Sequence, residues 1–236
     1  MIEELNEIHK QVTKDPANVP SNVKKRFWKI VGQVKRTPNL DKKTVEKASE
    51  IRDLLYTSNY GGLIPSWIIL PILLILAIAC EYTFFYSVLY DLAGAIDGYQ
   101  YWSIWWTMVF LYPFGRLIAG IFTGIKFDGF GLSPLIFPNL KVNYPSYLNA
   151  SPPKREWFFL FGGSWSTIVT GILGIIRYIG TGDLFSFHAF IILFLLETIS
   201  ATGILGKWGG EMNNYHRERK IVRDWLKLVE KSTASN

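Results

Sequence analysis

Apolar and charged positions are separated along this chain instead of being interleaved. Four long stretches, residues 63–89, 101–124, 157–179 and 184–205, are almost free of charge, and the segments around them carry nearly all of the Lys and Arg. Each stretch is about 20 residues or longer, enough for a helix to cross a hydrocarbon core of about 30 Å. Backbone groups in lipid must find hydrogen bonds inside the segment, which favours helices, and the alternating pattern of an outer-membrane barrel is absent. The pattern predicts an all-α integral membrane protein with about four transmembrane helices.

The flanking regions follow a different rule. In residues 1–58, Pro20, Ser21 and Asn22 form a helix-start signal, and Val23, Phe27, Ile30, Val31 and Val34 then recur on one helical face. A second stripe is Val45, Ala48, Ile51 and Leu55, with Asn39 and Asp41 as cap candidates. Two or three short helices are expected here, forming a small cytosolic helical region. Helices this short need partners; they either pack on one another or lie along the inner leaflet as basic amphipathic helices. No signal peptide is expected in so polar a stretch. Residues 206–236 repeat the pattern through Ile221, Trp225, Leu228 and Val229 and predict an amphipathic tail helix. The expected division is thus 1–58 cytosolic, 59–205 membrane domain and 206–236 tail.

Between spans two and three, residues 125–156 contain Pro134, Pro138, Pro145, Pro152 and Pro153 together with Phe127, Phe130, Leu135, Ile136, Phe137, Val142, Tyr144 and Tyr147. A disordered linker would not carry so many apolar and aromatic residues. A membrane-associated hairpin with short strands, tucked against the helices, is expected, with a soluble-facing mini-domain as the alternative.

The basic residues set an orientation. About a dozen precede span one, Lys126, Lys141, Lys154 and Arg155 lie between spans two and three, and about seven follow span four. The connections 90–100 and 180–183 carry acids and no Lys or Arg, with only Arg177 near the second. The positive-inside rule then places both termini and the central loop in the cytoplasm. Tyr99, Tyr101, Trp102, Trp105 and Trp106 form an outer aromatic belt, and Trp67 and Trp157 fall at the inner one.

Composition agrees: 49% of residues are hydrophobic and 19% charged, below the quarter usual in soluble domains. The net charge of +6 belongs to residues flanking apolar runs, where they meet lipid headgroups, and no nucleic-acid-binding motif accompanies them. The one cysteine, Cys80, excludes an internal disulfide and a cysteine metal cluster.

From Tyr112 to Gly171 the chain resembles the core of the site-2 protease family of intramembrane zinc metalloproteases. Gly115 stands at the glycine of that family's HExGH motif and Gly124 at a later family glycine. Residues 125–137 (IKFDGFGLSPLIF) resemble the segment leading into the family's hairpin, and residues 160–173 (LFGGSWSTIVTGIL) resemble the start of its next helix. Residues 203–213 (GILGKWGGEMN) echo the family's DGG segment. The chemistry departs. Tyr112 stands for the first histidine, Pro113 for the glutamate, Arg116 for the second histidine and Trp208 for the aspartate. Catalytic zinc needs about three protein donors, so the resemblance implies a catalytically inactive relative without metal or other cofactor.

Glu81, Arg116 and Glu197 are ionisable residues inside spans. Arg116 and Glu197 are each about nine residues from the inner ends of their spans and so share a depth at about 1.5 Å per residue. An Arg116–Glu197 ion pair in the place of the metal is expected; the alternative is that Arg116 snorkels while Glu197 is protonated. Pro113 removes a backbone hydrogen bond in span two. Gly120 and Gly124, with Gly163, Thr167 and Gly171, are expected to pack spans two and three together, homodimerisation being the alternative. The functional expectation is a membrane protein that binds or scaffolds another membrane protein. The alternative is a small transporter, or an accessory subunit of a membrane complex, using Glu81, Arg116 and Glu197.

Overall fold

The computed structural model describes residues 1–37, 40–60, 62–90, 96–131, 139–202 and 210–234. Their contacts group the chain into two compact units, one of Met1–Ser66, Gly120–Glu156 and Arg217–Asn236, the other of Trp67–Ala119 and Trp157–His216. Residues 125–156, expected within the membrane domain, fall in the unit of the N-terminal helices.

In the first unit the predicted stripes become a core. Helix α1 (Ile2–Lys14) buries Leu5, Ile8 and Val12. Helix α2 (Ser21–Val34) buries Val23, Phe27, Ile30, Val31 and Val34. Helix α3 (Lys42–Tyr60) buries Val45, Ala48, Ile51 and Leu55. The three helices pack on one another, the first of the two expected arrangements. Asp41 caps α3 by accepting from the Thr44 N–H at 3.3 Å, satisfying one of the donors that a helix start leaves open; Asn39 lies outside the described residues. The expected helix start is present, with Pro20 at the cap of α2 and Ser21 as its first residue.

A three-stranded antiparallel sheet adjoins these helices in the order β1 (Leu63–Ile64), β2 (Phe127–Gly131) and β3 (Asn139–Val142). The β2–β3 pairing is the expected hairpin. The addition is β1: Leu63 and Ile64, expected to open span one, pair with Gly131 and Phe130 instead. An apolar run this short fits strand and helix equally, and Pro65 then separates the two. Gly129 makes the approach of β1 feasible. Its φ is +145°, and a Cβ there would stand 2.7 Å from the Ile64 carbonyl oxygen. Behind the sheet, buried Lys141 lies 2.9 Å from Asp128 and 2.7 Å from Asp53, the latter an ion pair outside hydrogen-bond geometry. Burial pulls the Lys141 ammonium down, but the two carboxylates outweigh it and hold it above its ordinary value. Asn143 then caps the short helix α6 (Tyr144–Asn149), accepting from the Ser146 N–H at 3.1 Å.

The second unit contains helix α4 (Ser66–Leu89), most of α5 (Ile96–Thr123), most of α7 (Pro152–Thr181) and α8 (Phe185–Thr202). Among the described residues, three helices are long and apolar enough to cross a membrane: Ser66–Leu89, Trp102–Thr123 and Pro152–Thr181. The fourth apolar segment, Phe185–Ile199, is shorter than that measure. Ile75, Ile78 and Ile192 are each more than half exposed, a placement that stabilises a protein only in an apolar surrounding. Trp67, Trp102, Trp105 and Trp157 are exposed as interface anchors would be. The side chains of Tyr99 and Tyr101 lie outside the described residues.

The glycines divide differently from the expected pattern. Gly120 faces the Ile125 carbonyl and the Phe127 ring, and Gly124, with φ +76°, ends α5. The close approaches of α5 and α7 come instead at Gly115 and Gly162, and Gly171 faces Phe190 of α8. Helix α9 (Gly210–Ala234) follows, burying Ile221 and Val222, with Trp225 half-buried; the side chains of Leu228 and Val229 are outside the described set.

Candidate functional site

The segment singled out by the sequence, Tyr112 to Arg116, lies on α5. Gly115 has no side chain, and the space is filled by Trp165 of α7: a Cβ at Gly115 would stand 2.2 Å from Trp165 Cγ. The Trp165 indole N–H donates to the Leu111 carbonyl at 2.8 Å, so the ring is held by hydrogen bonding as well as by packing. One helical turn brings the Arg116 guanidinium 5.7 Å from the centre of the Tyr112 ring. The stem of Arg116 crosses Gly162, where a Cβ would lie 3.3 Å from its Cγ. Trp208 is outside the described residues. Among the described residues no three His, Cys, Asp or Glu side chains converge as a metal site would require. Tyr112, Pro113 and Arg116 do not fit zinc: the set offers one phenol, a proline ring with no ligating atom, and a permanent cation.

Glu197 does not show the expected partner. Besides its burial, the polar group acting on it is the Thr167 hydroxyl of α7. That buried hydroxyl makes no hydrogen bond of ordinary geometry. Equal depth along two helices does not put two side chains on facing sides, and α8 presents Glu197 to Thr167.

The acid that finds a cation is Glu81. Arg177 Nε donates to Glu81 Oε2 at 3.0 Å and Arg177 Nη2 to Oε1 at 2.8 Å, a two-point pair on the planar guanidinium. Thr107 Oγ1 donates to Glu81 Oε1 at 2.8 Å. Arg177 also donates to Ser103 Oγ at 3.1 Å and to Ser186 Oγ at 3.4 Å, and its guanidinium sits 3.8 Å from the Phe84 ring centre. Asp183 accepts from Ser186 Oγ at 3.3 Å and from the Phe185 N–H at 2.9 Å, just before α8. Arg177 is fully buried. Helices α4, α5, α7 and α8 each contribute a group, so the pair ties the whole unit together. Either charge buried alone would be costly, and mutual neutralisation removes most of the reason for that cost.

Arg177 entered the sequence reading only as a basic residue near a connection. Its signal was present: an Arg in the run GILGIIRYIG, near the same membrane face as Glu81 in the expected topology. An intramembrane cation calls for an intramembrane acid.

Beside this network, α5 and α8 bound an apolar groove of about 480 Å³ lined in part by Trp105, Met108, His188 and Ile192.

The first unit has a second buried charge centre, at Glu218 of α9. Glu218 Oε1 lies 2.6 Å from Lys35 Nζ and accepts from Tyr147 Oη at 2.7 Å, while Oε2 accepts from Arg155 Nε at 3.0 Å. Arg155 donates further to the carbonyls of Ala150 at 2.6 Å and Lys35 at 2.7 Å. The end of α2, α6, the start of α7 and α9 thus meet at one carboxylate. Burial pushes the Glu218 carboxyl up, but Lys35 and Arg155 outweigh it and hold it below its ordinary value. Burial pulls Lys35 down against the attraction of Glu218, and burial pushes the Tyr147 phenol well up. Nothing in the local pattern HRERK marks Glu218 as buried.

Comparison of the chain with family models, with curated proteins and with solved structures found no match.

Proposed function

We propose that this chain is a non-catalytic membrane protein, built on a plan related to the site-2 proteases, that binds or scaffolds a transmembrane segment of another membrane protein. The observation that carries this reading is Trp165 in the gap at Gly115. An indole, anchored on the Leu111 carbonyl, takes the space beside the segment where a hydrolytic metal would need room. The chain crosses the bilayer four times with both termini cytoplasmic; α8, with 18 residues, is about 27 Å long at 1.5 Å per residue and reaches across with little mismatch. The groove between α5 and α8 offers the partner helix an apolar seat.

The transport alternative has less support. Both oxygens of Glu81 are engaged by Arg177 and Thr107, so neither is open to a passing ion.

The test is metal analysis of the full chain after exposure to zinc and dialysis, with a cleavage assay on transmembrane peptides and photocrosslinking from Met108 in native membranes. The expected result is no stoichiometric zinc, no cleavage and a discrete crosslink to a membrane protein, lost when the crosslinker is moved to exposed Lys10. One zinc per chain, or chelator-sensitive cleavage, would overturn the proposal.

A further inference from the structure

A cavity of about 390 Å³ lies between α2 and α9 in the first unit. Its charged lining is Lys35, Arg36, Arg217 and Lys220 with one acid, Glu218. That acid is already shared, because Glu218 also neutralises Arg155, which does not line the cavity. Asp224 lies 3.3 Å from Arg36 on the rim, but both side chains are about half exposed, and such a surface pair contributes little. Lys220 makes no ion pair among the described residues. The concave shape adds to the charge, since apolar walls focus the field of the cations into the opening. Here the walls are Val31, Ile221 and the half-exposed Trp28. Gly32 keeps the floor clear: the Arg36 guanidinium folds back over it and donates to its carbonyl at 2.7 Å.

We propose that this cavity binds a phosphate ester, with Arg36, Arg217 and Lys220 meeting the phosphate oxygens and Trp28 covering the organic part of the ligand. Guanidinium groups match phosphate oxygens two at a time, and the volume exceeds what inorganic phosphate fills, leaving room for an attached polyol or glycerol. The same chemistry is offered by a membrane phospholipid headgroup and by a soluble phosphate ester. Arg217 and Lys220 follow the last apolar segment closely in the chain, where basic clusters commonly meet anionic lipid. The inference stands apart from the proposed scaffolding role, which uses the other unit.

The experiment uses the full chain in two arms. In detergent, glycerol 3-phosphate is titrated calorimetrically; in nanodiscs, thermal stability is compared with and without phosphatidic acid in a phosphatidylcholine background. Binding in the nanodisc arm alone assigns a lipid headgroup, and binding in the detergent arm assigns a soluble ester; either supports the site. Lys220→Glu is expected to weaken binding about tenfold or more, equivalent to about 1.4 kcal/mol. Lys220→Gln should weaken it less and in the same direction, and Lys10→Glu, on an exposed position of α1, should leave it unchanged. No binding in either arm would overturn the proposal, as would equal affinity of wild type and Lys220→Glu, or equal loss in Lys10→Glu.

Discussion

Arg177 holds Glu81 through two nitrogens, at 2.8 and 3.0 Å, while Thr107 and Ser103 of α5 close the pair on its flanks. Each partner is expensive to bury alone and tolerable with the other. Removing one member of a buried pair typically costs about 3–5 kcal/mol, because it strands the remaining charge, whereas replacing both by apolar residues is often neutral. Arg177→Leu and Glu81→Leu are therefore each expected to destabilise the protein by about that amount, and the double variant should recover much of the loss. Thermal unfolding in detergent measures it. A double variant as unstable as the worse single one would contradict the pairing.

At Gly115 the propensity and packing effects have opposite signs. Alanine is better than glycine in a helix by about 1 kcal/mol, but its Cβ would stand 2.2 Å from Trp165 Cγ. Overpacking costs about 1–3 kcal/mol, so Gly115→Ala is expected to lower stability despite the better helix former. Adding Trp165→Ala to Gly115→Ala should cost less than the sum of the two single changes, since the collision disappears with the ring. Additive losses would show that the two residues do not touch.

The Glu218 carboxyl sits below its ordinary value of 4.5 in the folded protein. Its contribution is complete above that value and is lost as pH falls through the folded one, because the unfolded chain then takes up a proton first. Melting temperature is expected to drop as pH falls below about 4.5, and part of that drop should vanish in Glu218→Gln. The same variant should be less stable at neutral pH by about 3–5 kcal/mol, since Lys35 and Arg155 lose their shared anion. An unchanged acid limb in Glu218→Gln would show that another group controls it.

Gly129→Ala meets two obstacles, a φ of +145° and the Ile64 carbonyl oxygen 2.7 Å from the new methyl. Strain of this kind costs about 1–3 kcal/mol, and it falls on the β1–β2 pairing. Hydrogen exchange should show faster exchange at Ile64 and Gly131 with little change within α2. Protection equal to wild type at those amides would contradict the sheet geometry.

Several features were legible residue by residue. The face Val23, Phe27, Ile30, Val31 and Val34 became the buried face of α2 because helical period and burial report the same geometry. The hairpin after span two was readable from aromatic residues in a proline-rich loop. Leu63 and Ile64 were misplaced because a few apolar residues carry no period, and their strand exists only through residues 130 and 131. Gly120 and Gly124 matched a helix-packing spacing yet serve the turn into the sheet, while Gly115 does the packing. Spacing on one helix does not tell which neighbour arrives. For the same reason Arg116 and Glu197 were matched by depth, although α8 turns Glu197 towards Thr167.

The order of residues along the chain was enough for the apolar helices, the polar helices before and after them and the short cap at Asp41. These depend on neighbours within a few positions or on side-chain type alone. The choice of Arg177 for Glu81, the seating of Trp165 at Gly115 and the convergence of Lys35, Tyr147 and Arg155 on Glu218 depend on the azimuth of each helix against the next. Azimuth is settled by packing between distant segments, 183 positions apart for Lys35 and Glu218, and no local pattern encodes it.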